Sequence, residues 1–252
     1  RDRSMILRVV GAMVATAALR LLMAPVVSPR YLYADIHGIG SFLGVVGGVY
    51  SIVIAFVIYV VWDQYNRVQM GLDTEGAAIE DLVRAASMLS DRAAANDVRV
   101  AAVRYLDAVA GDEALKQATV ERSVVAHDLA SALASRVRSV SADTGKAGAV
   151  YDEMLRCLAR ASDARSERLA VSSTRIPATL WNLVLFASGA LLFGFYVLGI
   201  QSLALSCMTI AAVAGVLVFL LSVVKDMDNP FCGAWNVTYE SVRAAVARMQ
   251  TQ

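Results

Sequence analysis

The stretch IPATLWNLVLFASGALLFGFYVLGIQSLALSCMTIAAVAGVLVFLLSVV, Ile176 through Val224, runs for 49 residues without Asp, Glu, Lys, Arg or His. A helix crosses the hydrocarbon core of a bilayer with about 20 apolar residues, so this length allows two crossings. Only the uncharged segment Leu198 to Ser202, with Gly199 inside it, offers a turn. The two helices must therefore form a tight antiparallel hairpin, which makes the chain a multi-pass membrane protein.

The remainder of the 252 residues divides sharply by charge. Of 23 basic and 22 acidic side chains, residues 63–175 hold 15 and 17, while the flanking segments are greasy. A net charge of +1 and 58% hydrophobic residues exclude a disordered chain and a basic nucleic-acid-binding surface. Hydropathy places four spans, roughly Met5 to Val27, Ile39 to Trp62, Pro177 to Gly199 and Ser202 to Val224. The first contains Arg20, runs too far for a secretory signal and reads as a retained span; Arg8 and Arg20 are expected to snorkel to opposite interfaces. The organisation is thus residues 1–62 with spans one and two, 63–175 as a polar domain, 176–225 with spans three and four, and 226–252 as a tail.

Positive charges orient the spans. Arg1, Arg3 and Arg8 precede the first, Arg67 follows the second, Arg165, Arg168 and Arg175 precede the third, and Lys225 follows the fourth. Lys and Arg near span ends are held in the cytoplasm, so both termini and residues 63–175 are expected there. This polar domain is Ala-rich and has no Pro between Asp63 and Ile176. Its apolar residues recur at helical spacing, as in Ile79, Leu82, Val83, Ala86 and Leu89, and the fold class is all-α. Breaks are expected near Ser90-Asp91, Gly111-Asp112 and Ser141 to Gly145, with the first and last helices continuous with spans two and three.

Catalysis finds no support, because no phosphate loop, HExxH or GxSxG is present. Cys157, Cys207 and Cys232 are dispersed and read as free thiols, and His37 and His127 are isolated, so no metal or other cofactor is predicted. Charged pairs such as Glu80 with Arg84 describe solvated helix faces. Glu75, on the helix leaving span two, is expected to pair with Arg165 or Arg168 on the helix entering span three, since a carboxylate in a partly buried seam needs a cation.

Span two is the most informative helix. Gly40, Gly44, Gly47, Gly48, Ser51 and Ala55 make a smooth face where another helix can approach closely. Phe42, Val46, Val49, Val53 and Phe56, with Val45, lie on the bulky side, which either faces lipid or, in a ring of copies, forms an apolar constriction that gates by dewetting. After span four, Asp226, Asp228, Asn229, Pro230, Phe231 and Gly233 form a compact segment. Pro230 cannot continue a helix and biases Asn229 away from helical geometry. A buried hinge is expected, with Phe231 turned back between the spans or into a neighbouring subunit.

Gly48-Val49-Tyr50, Trp62-Asp63, Glu75, Tyr105, Arg165 with Arg168, Pro177 with Trp181, and Asp-Asn-Pro-Phe-x-Gly after the last span occur in that order. From Gly38 to Val237 the sequence resembles the bestrophin-like family of membrane proteins, distant relatives of bestrophin anion channels. The resemblance implies a homo-oligomeric ion channel, a pentamer by analogy, in a bacterial inner membrane (the plasma membrane). Its partners would be the lipid bilayer, small inorganic ions and further copies of itself, with span two lining the pore and no nucleic acid involved. A non-conducting scaffold or signalling protein whose helical domain binds a partner is the alternative. Two departures matter: Glu113 is followed by Ala114 where a Trp is common, and Gly233 leads into Ala234-Trp235-Asn236-Val237 rather than an acidic calcium-binding cluster, so calcium activation is not implied.

Overall fold

The computed structural model describes residues 2–24, 36–115, 123–140, 146–198, 200, 202–229, 231 and 236–251. Among these it is all-α, with α1 (Asp2–Met23), α2 (Ile36–Ala86), α3 (Arg92–Ala108), α4 (Val124–Arg138), α5 (Lys146–Ser173), α6 (Ala178–Val197), α7 (Leu203–Met227) and α8 (Glu240–Thr251). Four of them, α1, α2, α6 and α7, are long and apolar enough to cross a membrane. Two compact units result: Arg1–Trp62 with Arg175–Asp228, and Asp63–Thr174 with Asn229–Gln252.

In the first unit the apolar face of α2 made by Tyr50, Ile54, Val57 and Val61 is buried with Val184 and Leu191 of α6 and Leu217, Val224 and Met227 of α7. Helix α7 starts at an N-cap, Ser202, whose hydroxyl accepts from the Leu205 N–H. Helix α1 packs along α7, and the fit is close at Gly215, where an added Cβ would lie 2.9 Å from Met13 Sδ. Arg20 departs from expectation. Instead of snorkelling it is 4% exposed, and its Nε donates to Ser206 Oγ on α7 at 3.0 Å.

The second unit surrounds a core that includes Leu72, Ile79 and Leu82 of α2, Leu106 of α3, Leu133 of α4, Met154 of α5 and Met249 of α8. Asp91 caps α3 by accepting from the Ala93 and Ala94 N–H groups at 2.9 and 3.1 Å, and Ser123 caps α4 through the Ala126 N–H at 3.0 Å. Two of the expected boundaries differ. At Gly111-Asp112 the chain does not break: a π-helical turn, Val109–Glu113, continues the helix with one wider loop of backbone. Helix α5 does not continue into α6 either, because residues 174–177 are non-helical and Pro177 lacks the N–H that a helix interior would need. The break expected at Ser141 to Gly145 lies outside the described residues.

Gly71 of α2 marks the closest helix approach in this unit, since a Cβ there would sit 2.9 Å from Arg168 Cβ and 3.5 Å from the Ala164 carbonyl oxygen. In an open helix, Gly→Ala gains about 1 kcal/mol. At this crossing we expect Gly71→Ala to lose about 1–3 kcal/mol instead, through overpacking; a thermal melt higher than that of the wild type would refute the close fit.

The terminal helix α8 buries Val242, Ala245, Val246 and Met249. Arg248 also grips Glu80 of α2 with two hydrogen bonds, Nε to Oε1 at 3.0 Å and Nη2 to Oε2 at 2.7 Å. The hydrogen bond from Arg248 holds the Glu80 carboxyl below its ordinary value, against partial burial and helped by the charges of Arg248 and Arg84. A carboxyl whose folded value is depressed contributes stability above its unfolded value of 4.5 and loses it as pH falls through the folded value. Between about pH 6 and pH 3 the wild type should therefore lose more melting temperature than Glu80→Gln. Equal losses would show that the pair contributes nothing.

Candidate functional site

Helix α2 is apolar almost all round within the first unit, yet only one of its faces is covered there. Phe42, Val45, Val49, Ile52, Phe56 and Tyr59 form a second stripe, each 46% to 74% exposed. Their spacings alternate between three and four residues, a 3.5-residue repeat like the seam of a left-handed supercoil. Gly44, Gly48, Ser51 and Ala55 make a third, exposed face, and added Cβ atoms at Gly44 and Gly48 would meet nothing within 4 Å. At 100° per residue the small face lies about 100° around the helix from the bulky stripe. Of the residues named from sequence, Phe42, Val49 and Phe56 fall on the exposed stripe. Val46 and Val53 do not: both are partly buried against the same chain's membrane core, because they lie between the stripe and the Tyr50–Ile54–Val57 face. Val45 and Ile52 complete the exposed stripe; of the two, only Ile52 was absent from the bulky face read from sequence, although the 3.5-residue repeat was available to find it.

The second unit contains a cluster of buried charge. Arg168 of α5 is fully buried and donates from Nε to Glu75 Oε2 at 2.9 Å, with Nη2 at 2.8 Å from the same oxygen. The same Nη2 lies 3.0 Å from Glu113 Oε1. One turn earlier, Arg165 places Nη2 3.1 Å from Glu113 Oε2 and donates from Nη1 to the Tyr105 hydroxyl at 2.8 Å. That hydroxyl in turn donates to Glu75 Oε1, and the Arg165 guanidinium stands 5.4 Å from the Tyr105 ring centre. Two cations and two carboxylates, bridged by a phenol, thus close a ring among α2, α3 with its π turn, and α5.

The electrostatics follow from this arrangement. Burial, reinforced by the charge of Glu75, pushes the Tyr105 phenol far above its ordinary value, so it stays a neutral donor. Burial alone would weaken the Arg168 cation, but Glu75 and Glu113 outweigh it and drive its value upward. Glu113 was not among the sequence candidates. Its signal was periodicity, since it extends the buried series Val98, Ala102, Tyr105, Leu106 and Val109 by one further turn. Beside the ring, α4 and α5 leave a cavity of about 520 Å³ onto which His127, Arg138 and Arg165 open.

In the segment after α7, Asp228 Oδ1 accepts from the Ile176 N–H at 2.8 Å, tying the end of α7 to the approach to α6. Asn229 Oδ1 accepts from the Phe231 N–H at 3.2 Å in a tight Asx turn. Phe231 is half-buried against the core of the second unit, where apolar side chains are at hand, rather than between the spans. Asp226 is partly buried, and Pro230 and Gly233 lie outside the described residues.

Residues 10–242 match the sequence profile of the bestrophin-like domain. This chain belongs to the bestrophin-like family. The fold agrees. A crystal structure of a bacterial bestrophin homolog from Klebsiella pneumoniae carrying a single substitution superposes with a TM-score of 0.72 at 11% identity, covering 99% of this chain and 98% of that one. A second variant of the same homolog gives 0.71 at 11% identity over 95% and 99%, and a crystal structure titled only as a membrane protein gives 0.69 at 11% over 95% and 99%. Among curated proteins, none matches the sequence significantly. The bestrophin-like architecture therefore rests on a sequence profile over most of the chain and on folds that persist where few residues are shared.

Within this bestrophin-like chain the charge ring is the most demanding feature. Arg168→Met leaves Glu75 and Glu113 buried without their shared cation and should cost about 3–5 kcal/mol. Neutralising the carboxylates as well, by Arg168→Met with Glu75→Gln and Glu113→Gln, should recover part of that loss. Chemical denaturation of the three-fold variant showing no recovery would mean that packing, not charge, sets the cost.

Proposed function

We propose that this protein is an oligomeric ion channel of bestrophin type, in which copies of α2 surround an axis and the stripe Phe42, Val45, Val49, Ile52, Phe56 forms an apolar neck. The observation that carries this reading is the exposed 3.5-residue stripe, set on a fold similar to bacterial bestrophin homologs. A bulky apolar face left uncovered by its own chain suits a ring of helices, which needs one face toward the axis and another toward a neighbour. The small face of Gly44, Gly48, Ser51 and Ala55 supplies the second, because small side chains let two backbones come close. In this reading Val46 and Val53 back the neck from behind.

A pentamer is the assembly we favour, by analogy with the family. Both termini and residues 63–175 lie on the cytoplasmic side of a bacterial inner membrane in this reading, following the distribution of Lys and Arg. The protein acts on small inorganic ions by passage rather than by chemistry, and is not an enzyme. Asp226, Asp228, Asn229, Pro230, Phe231 and Gly233 form the proposed gating segment, with Asp228 holding the approach to α6 and Phe231 anchored on the apolar core of the second unit.

A narrow apolar neck opposes conduction because ions and water leave it readily, so enlarging and wetting it lowers the barrier. In planar bilayers, Ile52→Ala and Phe56→Ser should raise single-channel conductance or open probability about tenfold or more. The same exchange at Val216, an exposed apolar residue of α7, should leave currents unchanged. A wild-type protein without current in any bilayer, or neck variants indistinguishable from it, would remove the channel reading and favour the scaffold.

A further inference from the structure

Arg20 stands out in the first unit because it is a buried cation on a helix apolar enough to cross a membrane. Intramembrane arginines ordinarily pair with a carboxylate or backbone carbonyls, or face water. The sequence holds no Asp or Glu between residues 36 and 62 or between residues 176 and 225. Among the described residues Arg20 makes one hydrogen bond, from Nε to Ser206 Oγ. A guanidinium carries five N–H donors, so the two terminal nitrogens and most of the charge are left without an acceptor among the described residues.

Arg20 also lines a cavity of about 500 Å³ between α1 and α6, whose other walls are Leu19, Met23, Gly189, Leu192, Phe193, Tyr196 and Val197. The Tyr196 hydroxyl is already donating to the Thr16 carbonyl at 2.7 Å. Arg20 is therefore the one cation of an otherwise apolar groove. It lies three residues before Met23, the end of α1, hence about 4.5 Å from that end along the axis. A cation within one turn of a span's end, opening into an apolar groove of lipid-tail character, is complementary to a molecule with an anionic head and a hydrocarbon body.

We propose that Arg20 and this groove form a binding site for an anionic phospholipid, with the guanidinium on the lipid phosphate and an acyl chain along Leu192, Phe193 and Val197. Two terminal nitrogens in a planar fork suit two phosphate oxygens. The bound headgroup supplies the counter-charge that the spans lack, and the lipid joins α1 to α6. The site is independent of conduction, since its residues lie on neither the bulky nor the small stripe of α2.

The full-length assembly, purified from membranes and exchanged into vesicles of equal parts palmitoyl-oleoyl phosphatidylglycerol and phosphatidylcholine, is released into detergent and weighed by native mass spectrometry. Wild type should retain phosphatidylglycerol in preference to phosphatidylcholine. Arg20→Gln should retain about tenfold less, the size of one lost charge-assisted hydrogen-bonding group. Gly189→Leu tests the groove without touching the arginine: a Cβ there meets nothing within 4 Å, so the chain accepts it while the added side chain fills the space a lipid tail would use. It should lose the lipid too, and it decides the question if Arg20→Gln fails to assemble. Undiminished phosphatidylglycerol in a folded variant, equal retention of the two lipids, or displacement by inorganic phosphate alone would overturn the proposal. So would a wild type that retains no lipid, as when a second copy covers the groove.

Discussion

Arg168 is buried with no exposed surface, and its Nη2 lies within 3.0 Å of two carboxylates, from Glu75 and Glu113. Moving any one of these ions from water into a protein interior costs several kcal/mol, and that cost is offset only if the geometry closes. Closure needs α2, the π turn and α5 in register together, since Arg165 and Tyr105 complete the ring. Gly71 belongs to the same constraint: its missing side chain allows α5 to approach α2 at Arg168. The π turn belongs to it as well, because it carries Glu113 onto the buried side without ending the helix. Buried ion pairs are often no more stabilising than a hydrocarbon core of the same volume, but a packing out of register would leave a carboxylate or guanidinium buried alone, at a cost of several kcal/mol.

In the membrane unit the corresponding constraint is how α2 distributes its faces. Its buried face takes Tyr50, Ile54, Val57 and Val61 into the subunit's own core, and lipid or protein must cover the other two. Hydrophobic burial alone does not sort apolar faces inside a bilayer, because lipid tails are as apolar as the side chains. Shape differs between those two faces: one is lined by small residues, which let two backbones come close, and the other by bulky ones. Arg20 is a buried exception to apolarity, and its Nε reaches Ser206 Oγ beside an otherwise apolar groove.

Much of this was legible beforehand. The four spans Met5–Val27, Ile39–Trp62, Pro177–Gly199 and Ser202–Val224 fall on α1, α2, α6 and α7, with α2 running on to Ala86 in the second unit, because a run of apolar residues of bilayer length has few other uses. The pairing of Glu75 with an arginine of α5 followed from charge in a seam, and Arg168 makes that contact. Glu113 escaped because an acidic residue ends an apolar stripe on paper, whereas two arginines made it an interior residue. The boundary at Gly111-Asp112 escaped for a related reason: Gly and Asp favour a break locally, but satisfied tertiary contacts carry the helix through as a π turn.

The sequence by itself determined the all-α class, the number of apolar spans, the polar domain between the second and third, and the family, since each depends on composition, periodicity or the order of short motifs along the chain. The tertiary structure alone decided which faces of α2 are covered, where Phe231 packs, and which groups Arg20 and Arg168 meet. These depend on which neighbour fills each side of a helix, and a periodic apolar pattern is the same whether that neighbour is a lipid, a second helix or another side chain in the same subunit.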